Sequence, residues 1–271
     1  MKAETATFVY FSSTGATDRV IHAIARGMDV DKPQFINLTD PKDRAATLPP
    51  IESDIVVIGT PVHNHRLPPF LMSSFQRLRG QGQPAAVVAV YGNVGVGITL
   101  EQLASVAEER GFTVIGGASF VGEHSFAHDG LPIAMGRPDE RDVRAAEEFG
   151  RRLQERLAFL QDDMVPQRVG FPATIPLMIR VMPQNSAPMV TRPAKADDSV
   201  CIRCGECVKT CPMGAIDEIT LNIDEHLCIR CYSCVRTCQQ SARHISLRME
   251  WLFRQGFRSA MAKRQEPQFY L

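Results

Sequence analysis

Cys201-Ile-Arg-Cys204-Gly-Glu-Cys207-Val-Lys-Thr-Cys211-Pro212 and Cys228-Ile-Arg-Cys231-Tyr-Ser-Cys234-Val-Arg-Thr-Cys238-Gln239 are two copies of one cysteine pattern. Each copy reads C-x2-C-x2-C-x3-C, and together they hold all eight cysteines of the chain. The shared Cys-Ile-Arg-Cys, Cys-Val and Thr-Cys segments indicate an internal duplication. The fold of this small region therefore depends on what its thiols bind.

The cysteine spacing predicts two cubane iron–sulfur clusters, in which the fourth cysteine of each copy binds the cluster of the other copy. One predicted ligand set is Cys201, Cys204, Cys207 and Cys238, and the second is Cys228, Cys231, Cys234 and Cys211. Structural zinc sites and a disulfide framework are the alternatives, but zinc ribbons use paired Cys-x2-Cys hooks rather than triplets. The pattern therefore predicts a protein that transfers electrons.

Composition excludes several other roles. Thirty basic and thirty acidic residues balance, so no overall charge points to nucleic acid or to an anionic membrane. Residues 1–11 lack the features of a signal peptide. No apolar run reaches the roughly 18 residues of a transmembrane helix. Iron-binding thiols must stay reduced, which favours the cytoplasm.

Positions 1–160 alternate short apolar runs with helical patterns, as in a doubly wound parallel sheet of five strands. Strands are predicted at 7–11, 34–38, 54–59, 86–91 and 113–121, with helices near 15–28, 68–79, 98–110 and 139–160. The third and fourth strands are apolar throughout, which is typical of strands covered on both faces.

Four segments follow from these patterns. They are an α/β domain at 1–160, a proline-rich linker at 161–198 that could wrap over it, a small α+β cluster domain at 199–246, and a helical tail at 247–271. The tail carries Trp251 and Phe257 on one helical face, and we expect both to pack against the protein itself. Docking of an acidic partner or contact with a membrane is the alternative for this basic tail.

A run of hydroxyl and small residues, Ser12-Ser13-Thr14-Gly15-Ala16-Thr17, lies between the first strand and the first helix. Backbone N–H groups and the helix dipole make such a helix start an anion site, and one phosphate is the simplest ligand. An ordinary serine or threonine N-cap is the alternative. The glycine patterns of nucleotide triphosphatases and dinucleotide-binding domains are missing from this loop.

Phe-Ser-Ser-Thr-Gly-Ala-Thr resembles the FMN-phosphate loop of flavodoxins. The resemblance implies a flavodoxin-like sheet in the order 2-1-3-4-5, with FMN at the carboxyl ends of strands one and three. It also implies flavin contacts from the loops that follow the third and fourth strands. Those residues are Thr60, Pro61, Val62, His63, Gly92, Asn93 and Gly95. His63 replaces an expected aromatic residue, and a charge on it could stabilise an anionic reduced flavin.

More broadly, the chain resembles a family of flavodoxin–ferredoxin fusion proteins. The shared segments are Gly-Thr-Pro-Val, Tyr-Gly-Asn, Glu123-His124-Ser125 and Gly136-Arg137-Pro138-Asp139, together with a 2[4Fe-4S] ferredoxin module at about 198–246. Gln239 departs from the proline usual in that module. Its N–H could donate to cluster sulfur or to Cys238, which predicts a more easily reduced cluster at Cys201, Cys204, Cys207 and Cys238.

Two other residues have open interpretations. His124 is either a proton donor to flavin or substrate, or a hydrogen-bonded loop histidine, which we favour. Arg66 could pair with an acidic partner or the flavin, although a solvated surface arginine is the simpler expectation.

The cysteine pattern and the two resemblances together imply an electron-transfer iron–sulfur flavoprotein with FMN, two [4Fe-4S] clusters and a low-potential redox protein or reductase as partner. The first alternative is a flavin-dependent reductase with a substrate pocket lined by His63, His65, His124 or Arg137. The second is a ferredoxin whose flavodoxin-like half binds no cofactor and serves for docking. Direct use of NADH or NADPH is not expected, because no nicotinamide-binding pattern is visible.

Overall fold

A computed structural model of the chain describes residues 2–160 and 168–271. Its main sheet has six strands, of which the first five along the chain are parallel and lie in the order 2-1-3-4-5. The elements up to residue 160 are β1 (Thr5–Tyr10), α1 (Ala16–Met28), β2 (Lys32–Asn37), α2 (Pro41–Ala45), β3 (Ile55–Pro61), α3 (Pro69–Phe75), β4 (Pro84–Tyr91), α4 (Thr99–Glu109), β5 (Thr113–Val121) and α5 (Glu140–Leu160). The predicted 2-1-3-4-5 order is confirmed.

The spacing of apolar residues explains why helices cover both faces of the sheet. The central strands β3 and β4 are almost wholly buried, because helices cover both faces of the sheet. One core contains α1 and α5, and the other contains α3 and α4. Helix α1 approaches α5 closely at Gly27, where an added Cβ would lie 1.9 Å from the Glu147 carbonyl oxygen. This packing fixes the loop between β1 and α1 at the carboxyl edge of the sheet.

The second half adds smaller elements. They are α6 (Leu177–Val181), α7 (Ala187–Val190), β6 (Thr191–Arg192), α8 (Glu206–Lys209), α9 (Ser233–Arg236), β7 (Ser246–Leu247), α10 (Glu250–Gly256), α11 (Arg258–Ala262) and β8 (Gln268–Tyr270). Of the predicted linker, 161–167 lie outside the described residues. The remainder contacts the loop after β3, since Asn64 Nδ2 donates to the Pro183 carbonyl oxygen at 3.1 Å.

The tail differs from the predicted helical segment. After the two short helices α10 and α11, β8 pairs antiparallel with β5 and becomes the sixth strand of the main sheet. Phe257 packs on the protein, with its ring centroid 5.4 Å from that of His124. The expectation for Trp251 is wrong, because this side chain is 68% exposed. Among the described residues, no helix has the length and apolar character needed to cross a bilayer.

Candidate functional site

The loop after β1 presents unused backbone donors at the start of α1. Gly15 adopts a left-handed conformation with φ 84° and begins the helix without a side-chain cap. Within the described part of the chain, the backbone N–H groups of residues 13–17 donate to no protein acceptor. Five consecutive free donors at the positive end of a 13-residue helix suit one anionic group.

The N-cap residue is Gly15 rather than a serine or threonine, but the Ser12 hydroxyl also satisfies one donor of the helix. The Ser12 hydroxyl accepts from the Asp18 backbone N–H at 3.0 Å, while the Ser12 N–H donates to Thr39 Oγ1 at 2.8 Å. Ser12 is therefore a structural anchor. Ser13, Thr14 and Gly15 line an open cleft of about 510 Å³.

The opposite wall of this cleft comes from the cysteine repeats. Residues of both repeats line it, namely Lys209, Thr210, Cys211, Pro212, Ser233, Arg236 and Thr237. The loop after β1 thus faces the segment around Cys211. A group held in the cleft would lie between the two halves of the chain.

Two further cavities divide the eight cysteines into sets. The inner cavity is lined by Cys211, Cys228, Cys231 and Cys234. The outer cavity is lined by Cys201, Cys204, Cys207 and Cys238. These sets match the two ligand sets predicted from the spacing. In the described residues, no three histidine, cysteine, aspartate or glutamate side chains are arranged to hold one metal ion. A cubane places different demands on its ligands, because each thiolate binds a separate iron.

Backbone geometry repeats in the two cysteine copies. Arg203 and Gly205 have positive φ values, and so do their counterparts Arg230 and Tyr232, so both loops wind around a cavity in the same way. Tyr232 is held in this unfavourable conformation by its hydroxyl, which donates to the Arg192 carbonyl oxygen at 2.7 Å.

The cysteine environments suit thiolates bound to iron. Burial raises the pKa of Cys231 and of Cys234 to about 12, so metal must displace protons for these thiols to ionise. Ala215 N donates to Cys211 Sγ, and Ala242 N donates to Cys238 Sγ, each at 3.3 Å.

The backbone donor to Cys238 Sγ is therefore Ala242, whereas the sequence had suggested Gln239. Because the same bond occurs at Cys211, this contact gives no difference between the two cavities. Gln239 nevertheless lines the outer cavity.

The loop after β3 forms a tight turn. His63 N donates to the Arg66 carbonyl oxygen at 3.0 Å, and Arg66 N donates back to His63 at 2.9 Å. Thr60 is buried, with its hydroxyl on the Pro61 carbonyl oxygen, and Val62 N donates to Val90. Burial lowers the pKa of His63 to about 4, so this ring is neutral at pH 7. This burial gives no support to the expectation that a charge on His63 stabilises an anionic reduced flavin, which stays a prediction.

In the loop after β4, the side chain of Asn93 binds the backbone of the C-terminal tail. Asn93 Nδ2 donates to the carbonyl oxygens of Ala260 and Lys263 at 2.7 and 2.8 Å, and its Oδ1 accepts from Gln265 N at 3.0 Å. Its side chain is therefore not available to a flavin, although its backbone remains a predicted contact. None of the predicted flavin-ring residues lines the cleft at Ser13.

Two glycines of this loop allow histidines to approach. A Cβ at Gly92 would lie 2.5 Å from His124 Cδ2, and one at Gly95 would lie 2.7 Å from His65 Cε1. His124 Nδ1 accepts from Phe126 N at 3.1 Å. Burial, followed by the charge of Arg236, lowers the pKa of His124 to about 4. His124 is thus a neutral, hydrogen-bonded loop histidine.

Arg66 and Arg137 are both buried. Arg66 Nη2 donates to the Ile179 carbonyl oxygen at 3.2 Å, so the expectation of a solvated arginine is wrong. Arg137 forms a buried ion pair with Asp142, and its Nη1 donates to the Gln265 carbonyl oxygen at 2.8 Å. Arg137 thus serves the packing of the tail.

Two arginines that join the halves of the chain were not singled out from the sequence. Arg44, on α2, donates from Nη2 to the Pro212 carbonyl oxygen at 2.7 Å. Arg236, on α9, pairs with Glu123 and donates to the His124 carbonyl oxygen at 3.0 Å. No local pattern separates these arginines from exposed ones, because their partners are distant in sequence.

Comparison with known proteins agrees with this two-part architecture. A family described as NADPH-dependent FMN reductase matches residues 32–127, and a family described as a 4Fe-4S dicluster domain matches residues 194–239. These matches indicate FMN and two [4Fe-4S] clusters as the cofactors. No curated protein matches the whole sequence or a part of it.

Similar solved structures include flavodoxins. A flavodoxin from the domain Archaea is 19% identical, with a TM-score of 0.40, over 57% of this chain and 99% of its own. The Streptococcus pneumoniae TIGR4 flavodoxin is 19% identical, with a TM-score of 0.39, over 57% and 98%. The rubredoxin oxygen:oxidoreductase of Desulfovibrio gigas is 15% identical, with a TM-score of 0.40, over 58% of this chain and 37% of its own.

The strand order, the cysteine cavities and the two family matches together identify the chain as a flavodoxin-like domain followed by a 4Fe-4S dicluster domain, the arrangement of a flavodoxin–ferredoxin fusion.

Proposed function

We propose that this protein passes electrons between FMN, two [4Fe-4S] clusters and an external redox protein. The observation that carries this proposal is the cleft in which Ser13, Thr14 and Gly15 face Cys211 and Pro212. When bound, the flavin exchanges two electrons and the clusters exchange one each. Joining the two halves in one chain makes the exchange intramolecular, so it does not wait on diffusion.

Particular residues are proposed to hold the cofactors. The backbone N–H groups of residues 13–17 would bind the FMN phosphate, and the loops at 60–63 and 92–95 would lie near the flavin ring. Cys211, Cys228, Cys231 and Cys234 would hold the inner cluster. Cys201, Cys204, Cys207 and Cys238 would hold the outer cluster.

The outer cluster is the proposed contact for the external redox protein. Cys204 is exposed, and Ile202 and Ile219 beside it are 65% and 80% exposed. Arg203, the neighbour of Ile202, donates to the Ile219 carbonyl oxygen and so links the two isoleucines. Asp217 Oδ1 also accepts from Ile219 N at 3.1 Å. Apolar side chains held outward on a fixed turn suit the centre of a transient interface.

The charge of this surface favours a particular kind of partner. The segment 197–222 contains five acidic and two basic residues, and the clusters with their thiolates add negative charge. A partner with a basic rim around its redox centre is therefore the best match. Reduced thiols of this number suit a cytoplasmic location.

The geometry gives less support to a flavin-dependent reductase of a small substrate. That alternative needs a pocket lined by His63, His65, His124 or Arg137, and none of these residues lines the three cavities described above. Arg137 is also committed to Asp142.

Anaerobic purification with iron, sulfide and flavin quantified tests the proposal. About eight irons and one FMN per chain are expected, and four irons would contradict the ligand assignment. Rapid mixing should then show electron exchange between flavin and clusters at a rate independent of protein concentration. A rate proportional to protein concentration would contradict an intramolecular route. NADPH should not reduce the flavin without an added reductase, and direct reduction would favour the reductase alternative.

A further inference from the structure

A fully buried arginine lies between the two cysteine cavities. Arg243 is 2% exposed, which makes its side chain one of the largest buried ones in the protein. Its Nη1 donates to the Ala194 carbonyl oxygen at 2.5 Å, and its Nη2 donates to the Leu221 carbonyl oxygen at 2.8 Å. Ala194 lines the inner cavity, whereas Leu221 and Arg243 line the outer one.

This arginine has no carboxylate partner in the described ranges 2–160 and 168–271. Carbonyl oxygens satisfy its donors but carry no net charge. A guanidinium buried without a counter-ion is costly, because burial removes the hydration of its charge. The nearby groups that can carry negative charge are the cysteines, four of which line the outer cavity together with Arg243.

The duplication shows that the fold does not require a charge at this position. The counterpart of Arg243 is Ile216, which follows Cys211 at the same spacing as Arg243 follows Cys238. Both residues form the same kind of isolated antiparallel bridge, Ile216 with Ile223 and Arg243 with Ala196. Ile216 lines the inner cavity as an ordinary buried aliphatic residue. The arginine is thus a feature of one copy only.

The other arginines near the cavities are placed differently. Arg230 is buried at the inner cavity but pairs with Glu225, at 3.4 Å between Nη2 and Oε2. Arg203 lines the outer cavity and is exposed to solvent, which screens its charge.

We propose that Arg243 is the internal countercharge shared by the two cubane sites. This proposal rests on the cluster assignment made above. Each oxidised cluster with four thiolates is an anion, and it becomes more negative when it takes up one electron from the reduced flavin. No bond forms or breaks in this step. A fixed cation near both sites stabilises both reduced clusters and reduces the cost of placing two anions side by side.

The test compares Arg243→Met and Arg243→Lys in the holoprotein with Arg254→Met, at an exposed position on α10, as the control. The measurement is an anaerobic redox titration of both clusters by EPR and of the flavin by absorbance, together with the iron content. We expect Arg243→Met to lower both cluster potentials. At a potential that half-reduces the wild-type clusters, the ratio of reduced to oxidised cluster should fall about tenfold. Arg243→Lys should recover much of this loss, and Arg254→Met should cause little change.

The outcomes separate this proposal from the proposed function. Eight irons with unchanged cluster potentials in Arg243→Met would overturn the countercharge and leave the electron-transfer role intact. A wild-type protein with fewer than eight irons would overturn both. If Arg243→Met fails to assemble clusters while Arg243→Lys assembles them, the charge requirement is supported, because Met and Lys have similar length. Failure of both variants would instead indicate a packing role and overturn the proposal.

Discussion

Arg44 Nη2 donates to the Pro212 carbonyl oxygen at 2.7 Å and thereby links α2 of the flavodoxin-like domain to the residue after Cys211. The same guanidinium donates from Nη1 to the carbonyl oxygens of Leu38 and Thr39 at 2.9 and 3.0 Å. One planar group thus connects the loop after β2 to the loop that carries Cys211, a proposed cluster ligand. We expect this link to affect the proposed electron exchange across the cleft.

Replacing Arg44 with Met should slow electron exchange between flavin and clusters. The change removes three hydrogen bonds to carbonyl oxygens, and each bond from a charged donor is worth about 1.5–3 kcal/mol. The check is rapid-mixing absorbance on the anaerobic holoprotein. Arg19→Met, at an exposed position on α1, is the matched control. Equal rates in Arg44→Met and wild type would show that this contact does not control the exchange.

An acidic side chain in the loop after β1 should weaken FMN binding. Ser13→Asp places a negative charge among the donors that we assign to the phosphate, so Kd should rise at least about tenfold, or about 1.4 kcal/mol. Ser13→Asn is similar in size and uncharged, and it should bind FMN more tightly than Ser13→Asp. Quenching of flavin fluorescence gives Kd, and iron content should stay constant. Similar Kd values for the two variants would argue against a phosphate at this loop.

A basic residue at the exposed surface of the outer cluster should slow electron delivery to a basic protein. Ile219→Arg removes an apolar contact and repels such a partner, so reduction of cytochrome c should slow at low ionic strength. Val181→Arg is the control, because Val181 is 82% exposed on α6. A small viologen dye should be reduced equally by both variants. If Val181→Arg slowed the reduction of cytochrome c as much as Ile219→Arg does, the assignment of this surface to the partner would be wrong.

His124 should make the protein less stable in mild acid. Its folded-state pKa of about 4 lies below the ordinary value of 6.5, so between these values the unfolded chain binds a proton that the folded chain does not. The free energy of unfolding therefore falls as pH drops from about 6.5 towards 4. In His124→Gln the urea midpoint should depend less on pH between about 7.5 and 5.5. The exposed His226→Gln should retain the wild-type dependence, and an unchanged slope in His124→Gln would refute this role.

The buried pair of Arg137 and Asp142 should be essential to the tail. Asp142 is fully buried, and Asp142→Asn would leave the Arg137 charge unbalanced at a cost of about 3–5 kcal/mol. Urea unfolding measures this loss. The exposed Glu140→Gln is the control and should change the free energy of unfolding by less than about 0.5 kcal/mol. A small loss in Asp142→Asn would show that the fold does not depend on this ion pair, because Arg264, 3.4 Å from Asp142, is a second cation and cannot replace the lost negative charge.

Local patterns predicted the α/β domain because each strand and each helix shows its own spacing of apolar residues. The apolar runs of β3 and β4 specify buried strands whatever surrounds them, and the predicted fifth strand has the same bounds as β5. Strand β8 was missed, because so short a segment carries too little pattern and its partner β5 lies far away in the sequence.

The burial of individual arginines is the other failure of prediction. Arg66, Arg137 and Arg243 are buried, yet nothing in their neighbouring residues distinguishes them from exposed arginines. Most of their partners are carbonyl oxygens that the fold brings from distant segments, and the exception is Asp142, five residues after Arg137. A comparison of the two copies, in which Ile216 corresponds to Arg243, was the one signal in the sequence that could have identified an unusual position.

The cofactor chemistry of this protein could be predicted from residue order alone, because thiolate spacing and a hydroxyl-rich turn are local features that act through the few residues around them. The way the halves meet, with Arg44 on Pro212 and the cleft between Ser13 and Cys211, became visible in the folded chain and not before. The same holds for the position of Arg243 between the cavities. Contacts between distant segments depend on packing and charge balance over the whole chain, and no short stretch of residues encodes them.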